Sequence, residues 1–453
     1  MKYSFLLPII FIFSSLTNSA QAANWSDDLK AKVDAKVAQH FKNKSRVGLV
    51  VGVMKDNKIE IWNYGEKSVG QSNFVTPGTY FEIGSITKTY TATLLALEVG
   101  RKTVKLEDPV SLLWPELAGT FAGQITLEQL STHHSGLPRM PDNFFSTDPL
   151  NPYKDYDAAK MFEFLKGYNP QTEGPYPFEY SNIGVGLLGY LLSEKLHQQS
   201  YGDYLKQNLL HPMGLVYTKT EFAGNDLDTA ARGHDGFLTE VPYWDLNVLA
   251  GAGQIKSTMA DIMKYGIANL HADNSELGNA MKLTQTPRAN TNSETAKMGL
   301  GWMIVKSGTH TFSTHSGGTG GFSSNIIIDR EQKIVAAVLS NTDNPTDCIL
   351  APVFDLPCEI PEYVTVSEEN QNHYVGYYWS EKLQTEATIS LKNGFLGIQV
   401  GQQPMLRMWP VTEAKFKILV PDVTIKFVQA CGISHFTATQ DGQTYEFVGA
   451  KKK

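Results

Sequence analysis

Apolar residues recur along this chain in several rhythms, and the rhythms divide it. Residues 27–41 alternate charged and apolar positions at helical spacing, which predicts an amphipathic helix. Val47-Gly48-Leu49-Val50-Val51-Gly52-Val53-Met54 is continuously apolar and predicts a buried strand. Asp56-Asn57 is a turn, and Ile59-Glu60-Ile61-Trp62-Asn63-Tyr64 completes a hairpin. Residues 87–98 return to helical spacing. Glu107-Asp108-Pro109-Val110 opens another element, and Thr126 caps a short helix over 126–130. An apolar helix is expected over 183–196, and a capped one from Ser257-Thr258 after the glycine-rich 250–253. Strands follow at 324–329 and 333–339, joined by a turn at 330–332. Strand signals at both ends with helices between them predict an α+β fold, one antiparallel sheet flanked by helices.

The pattern shifts after residue 351. A Pro- and Glu-bearing linker spans 352–372, and beyond it the signals are nearly all strand. Residues 388–391 and 396–400 flank Asn393-Gly394, and 435–439 and 445–448 flank Asp441-Gly442, both strong hairpin signatures. A small β-barrel is expected over 373–453. At the other end, Met1-Lys2 precedes an apolar run over 5–13, then polar residues and Ala20-Gln21-Ala22. The run is shorter than the ~20 residues a membrane span needs. Residues 1–22 read as a signal peptide cleaved after Ala22, leaving 23–351 as the main domain of an exported, periplasmic protein with no membrane span in the mature chain.

The chain has 453 residues, a formal net charge of −7 and 42% hydrophobic residues, which suits a large core plus a second domain and argues against nucleic acid as a partner. In an oxidising compartment Cys348 and Cys358, close in sequence around a Pro-bearing loop, are the expected disulfide, with Cys431 left free. No C-x-x-C or H-E-x-x-H occurs, so neither a metal nor another cofactor is expected. His133-His134 lacks further ligands at metal spacing and reads as a structural loop. Residues 139–179, rich in Pro, Asp, Asn, Phe and Tyr, read as an irregular lid or binding loop. Gly184-Val185-Gly186-Leu187-Leu188-Gly189 matches a dinucleotide pattern but follows a Pro-rich lead-in, not a buried strand. We read it as a closely packed helix.

The chemistry centres on Phe81-Glu82-Ile83-Gly84-Ser85-Ile86-Thr87-Lys88. Ser85 and Lys88, three apart at a helix start, share one face. A desolvated lysine that is neutral near pH 7 can take a serine proton. The spacing alone is common, and an N-cap serine followed by a solvated lysine is its ordinary meaning. Its companions are Tyr180-x-Asn182 and His315-Ser316-Gly317. Acyl transfer needs a nucleophile, a base, a proton donor and an oxyanion site, and the three segments supply groups of those kinds.

In these motifs the sequence resembles the serine penicillin-recognising enzymes: class C β-lactamases, D-alanyl-D-alanine peptidases and related esterases. S-x-x-K, Y-x-N and a [K/H]-[T/S]-G triplet occur in the family's order, and the flanks 81–88, 130–138 and 180–189 match as well. The resemblance covers about residues 25–350, and the region from about Tyr374 resembles a lipocalin-like domain. It implies that Ser85 is acylated, that Lys88 and Tyr180 share acid/base duty, that Asn182, His315, Ser316 and Gly317 bind substrate, and that the N–H groups of Ser85 and Gly318 form the oxyanion hole. The implied substrates are D-alanyl peptides or β-lactams, with a carboxylesterase or a slowly deacylating penicillin-binding protein as alternatives. Two positions depart from the β-lactamase pattern. His315 stands where lysine is usual, and Met140 falls about where a side-chain amide is. With an ordinary histidine pKa of ~6.5, His315 is expected to gain a proton, and a carboxylate-attracting charge, between pH 8 and 6.

Overall fold

The computed structural model describes residues 25–346, 348–430 and 433–450. The expected leader, Cys431 and the final lysines lie outside the described residues. Among those described, no helix is long and apolar enough to cross a membrane.

The expected α+β architecture is the one observed. Eight antiparallel strands form the main sheet, in the order Lys58–Gly65, Gly48–Lys55, Ile334–Ser340, Ser323–Asp329, His310–Gly318, Met303–Ser307, Ala296–Met298, Ala289–Asn290. The continuous apolar run therefore sits beside another, Ile334–Ser340, with Val51 opposite Val338. Both strands are buried along nearly their whole length. The hairpin before them turns at Asp56 and Asn57, whose φ values of 52° and 60° are those a tight primed turn requires. One face of the sheet carries the N-terminal helix Trp25–Lys42 through Leu29, Val33 and Val37. The other carries Thr87–Gly100, Met259–Leu270 and the remaining helices around the largest apolar core.

Three details differ from the sequence expectation. The stretch 139–179 contains a helix, Ala158–Gly167, whose N-cap Asp157 accepts a bond from the Lys160 amide. Good helix formers behind a capping aspartate outweigh the flanking loop composition. The helix from residue 182 ends at Tyr190 and widens into a π turn at Leu191–Lys195. Segment 352–372 is docked at both ends. Val353 and Phe354 join the core under the N-terminal helix, Val366 joins that of the last sheet, and the Cys358 and Pro361 carbonyls accept bonds from Lys36 and Asn43. Cys348 and Cys358 are joined by a disulfide, with Cα atoms 5.2 Å apart.

The last sheet has nine antiparallel strands drawn from Gly376–Ser380 through Gln443–Ala450. Its two edge strands, Leu406–Arg407 and Trp409–Thr412, are separated in sequence by Met408 alone. The sheet thus curls back on itself into a nearly closed barrel around Phe416, Phe427, Phe436 and Phe447.

Candidate active site

Ser85 lies in the 3-10 turn Gly84–Ile86 that leads into the helix Thr87–Gly100. The preceding pair, Phe81–Glu82, is tied to Lys256–Ser257 as a two-stranded ladder. Gly84 has φ +48°, and a Cβ there would stand 2.6 Å from the Gly318 nitrogen. A Cβ on Gly317 would stand 2.0 Å from the Ile83 carbonyl oxygen. Bare backbone on both sides is what lets the end of His310–Gly318 lie directly against the serine turn. Glu82 locks this junction. It is buried, its Oε2 accepts from Thr319 Oγ1 at 2.7 Å, and its Oε1 accepts from the Trp244 amide at 2.8 Å.

Lys88 is fully buried. Its Nζ lies 2.9 Å from Ser85 Oγ, 2.9 Å from Asn182 Oδ1 and 2.7 Å from the Ala252 carbonyl oxygen. Burial, with Arg139 nearby, holds its pKa well below the ordinary lysine value. A neutral amine has two N–H donors and one lone pair. Asn182 Oδ1 and the Ala252 carbonyl can only accept, so they take both donors. Ser85 Oγ carries a hydrogen, so in the neutral form the lone pair would be left facing it. The Ala252 carbonyl reaches Lys88 because Asn182–Tyr190 packs on Ala250–Gly253 with glycines in contact. A Cβ on Gly189 would come within 2.9 Å of Gly251 Cα. The glycines of the rejected dinucleotide pattern thus serve helix packing.

The Tyr180 ring centre lies 4.9 Å from Lys88 Nζ and 5.2 Å from Arg139 Cζ. Burial raises the phenol pKa to about 12, with Ser85 and Arg139 pulling the other way, so near neutral pH it keeps its proton. His315 is buried, and its ring centre is 6.3 Å from that of Tyr180. Its Nδ1 donates to the Ser316 carbonyl at 2.6 Å. Burial and the proximity of Lys88 lower its pKa to about 4. The expected proton uptake between pH 8 and 6 is therefore corrected: His315 stays neutral through that range. Ser316 and Gly318 are exposed at the rim, while Ser85, Asn182 and Gly317 are partly so.

Sequence reasoning read His133 as part of a structural loop but did not see which backbone it holds. The residue is buried at the C-cap of Leu127–Thr132, with φ 63°. Its carbonyl accepts from the Glu179 amide at 2.9 Å, and its Nδ1 accepts from the Ser181 amide at 3.1 Å. It therefore holds the backbone on both sides of Tyr180, and its ring sits 4.4 Å from the phenol ring. The one available signal was its place inside the stretch 130–138 that matched the family's flanks. Arg139 was missed for want of any signal.

A family model described as Beta-lactamase matches residues 33–352. The chain belongs to the β-lactamase family. It is thus a member of a family of serine hydrolases that includes enzymes named as D-alanine carboxypeptidases and penicillin-binding proteins. A β-lactamase of Pseudomonas fluorescens is 29% identical over 277 residues, covering 61% of this chain and 74% of that protein. Penicillin-binding protein 4* of Bacillus subtilis strain 168 is 25% identical over 422 residues, covering 86% of this chain and 92% of its own. Among solved structures, a class C β-lactamase superposes with a TM-score of 0.67 at 22% identity, over 74% of this chain and 99% of that one. A β-lactamase/D-alanine carboxypeptidase from Pseudomonas syringae does so with a TM-score of 0.66 at 19% identity, over 73% and 100%. At these identities the structures speak for the fold.

Proposed function

We propose that the protein is an exported serine hydrolase that forms an acyl-enzyme at Ser85 and acts on D-alanyl peptide or β-lactam amide bonds. The observation that carries the reading is the buried Lys88 amine, 2.9 Å from Ser85 Oγ and within hydrogen-bond distance of two obligate acceptors, Asn182 Oδ1 and the Ala252 carbonyl. In this reading Lys88 takes the hydroxyl proton as Oγ attacks the substrate carbonyl. The N–H groups of Ser85 and Gly318 receive the developing oxyanion, an arrangement in which loss of one donor typically costs ~10²–10³ in rate. Tyr180, protonated near neutral pH, gives a proton to the departing amine and is replenished from Lys88. Asn182, besides fixing Lys88, offers its Nδ2 to a substrate amide, and Ser316 and Gly317 line the substrate along the strand edge. Water then hydrolyses the ester by the same route reversed. The signal peptide ending at Ala22, the separate domain before the linker 352–372 and the lipocalin-like character of the barrel belong to the same proposal. The disulfide supports export.

A carboxylesterase is the second reading, favoured by the neutral His315 and by the wall beside the site. Met140 lies against Asn182, Tyr153 and Trp244 pack with ring centres 5.1 Å apart, and Phe144 sits 5.1 Å from Tyr153. Whole-protein mass spectrometry after incubation with benzylpenicillin and, separately, p-nitrophenyl butyrate tests both. A stable adduct that accumulates and persists would point to slow deacylation. Adducts and turnover confined to the ester would favour the second reading.

A further inference from the structure

The relatives' usual lysine is absent at His315, and His315 is neutral, yet the cleft is not without a cation. Arg139 leaves the turn that His133 begins, and its carbonyl accepts the Asn182 amide at 3.0 Å, so its backbone is fixed to the catalytic segment. Its side chain is exposed, and its guanidinium carbon stands 5.2 Å from the Tyr180 ring centre. It makes no ion pair or side-chain hydrogen bond among the described residues. The other basic groups near Ser85 are spoken for. Lys88 is buried in its three contacts, and Lys256 is buried against the Thr220, Trp244 and Gln254 carbonyls, 3.8 Å from Glu82. The carboxylate closest to Ser85 in sequence, Glu82, is itself buried and bonded to Thr319 and Trp244. The charged neighbours that bear on Lys88, Tyr180 and His315 include no carboxylate at all.

The cleft mouth therefore presents an exposed guanidinium that no carboxylate among the described residues pairs with, although the chain as a whole is acidic. A guanidinium here disfavours a second positive charge on Lys88 and is a good neighbour for an arriving carboxylate, which its fork can bind with two parallel hydrogen bonds. We infer that Arg139 is the specificity-determining cation of this site, and that the preferred substrates are acyl donors carrying a carboxylate that Arg139 binds. This inference rests on the acyl-enzyme reading above. It moves the anion-recognising charge off the His315 strand and onto the turn that carries Arg139, as a permanent charge.

The test uses matched probes on the full chain. p-Nitrophenyl butyrate and p-nitrophenyl hemisuccinate share a leaving group and chain length, but the second ends its acyl chain in a carboxylate. Benzylpenicillin carries its carboxylate on the leaving-group side. Arg139→Gln should raise KM roughly tenfold to a hundredfold for at least one of the anionic probes, and the probe affected shows on which side of the scissile bond Arg139 acts. KM for the butyrate should change less than twofold, and Arg139→Lys should restore part of the loss. In the wild type, KM for that anionic probe should rise with salt, while KM for the butyrate stays flat. Equal shifts for all three probes, or none, would overturn the assignment to Arg139 while leaving the acyl-enzyme reading standing. Failure of the wild type to form adducts with any probe, or adducts that survive Ser85→Ala, would overturn the reading itself and this inference with it.

Discussion

The barrel and the catalytic cleft are built in opposite ways. In the barrel, strands next to each other in sequence pair with each other: Lys415–Ile418 with Val423–Ala430, then Ile433–Gln440, then Gln443–Ala450. Its core is a local cluster of aromatic rings, such as Phe436 stacked on Phe447 at 4.7 Å. The cleft takes its groups from residues 82–88, 133–139, 180–182, 252–256 and 315–319. Hardly any of its key contacts joins sequence neighbours, and its central group is a lysine with no exposure. A region of local pairings can lose one residue and repair itself nearby. A region in which five distant segments share a few buried polar atoms loses function with the first atom removed.

The largest expected effect is at Ser85. Ser85→Ala should abolish covalent labelling by benzylpenicillin or a fluorophosphonate, read as intact mass. Full labelling of that variant would place the nucleophile elsewhere and break the comparison at its centre.

His133 tests whether the cleft depends on groups that touch no substrate. His133→Ala leaves the Ser181 amide without its acceptor and frees the backbone around Tyr180. We expect kcat to fall about 10–100-fold, in line with the loss of one proton-transfer geometry, with KM within about threefold. His133→Asn keeps a side-chain acceptor and tolerates the left-handed backbone, so it should recover part of kcat. A loss of thermal stability with kcat unchanged would mean that His133 is only a helix cap.

Arg407 tests one of the places where the barrel stops being local. Its guanidinium carbon lies 3.5 Å from the Phe395 ring centre and 3.7 Å from that of Trp409. Its nitrogens donate to the carbonyls of Lys44 at 2.8 Å, Gly236 at 3.1 Å and Asn43 at 3.3 Å. Arg407→Ala strands those carbonyls and should cost about 2–4 kcal/mol in urea unfolding. Ser85 should remain acylable, since every proposed catalytic group precedes the barrel. A folded variant that no longer acylates would show that the barrel completes the cleft.

The smallest effect concerns His315. Its pKa is about 4 in the fold and about 6.5 unfolded. Above pH 6.5 both states are neutral and the histidine adds no pH dependence. As pH falls from 6.5 toward 4 the unfolded chain takes up the proton first, so stability should drop, by up to about 3 kcal/mol. His133, lowered in the same direction by burial, adds to the fall. Urea melts across that range should show a shallower decline for His315→Gln. A slope identical to wild type would mean that the fold does not hold His315 neutral. Between pH 8 and 6, His315 should impose no trend on KM for an anionic substrate.

Sequence determined the elements whose causes are local. Asn393-Gly394 and Asp441-Gly442 take positive φ at both residues, as their hairpins demand, and Thr126 caps its helix in a reciprocal box with Gln129. Turn chemistry and side-chain periodicity are written within a few residues, so they can be read there. The spacing of Ser85 and Lys88 was legible for the same reason, and the three motifs together pointed to the family. Only the tertiary structure decided what those groups are electrically. The lowered pKa of Lys88 comes from burial and from Arg139, far away in sequence. The lowered pKa of His315 comes first from burial. The exposure of Arg139 at the cleft mouth follows from a turn that His133 and Asn182 pin in place. Charge state depends on solvent and on neighbours in space, and neither is a property of a residue's place along the chain.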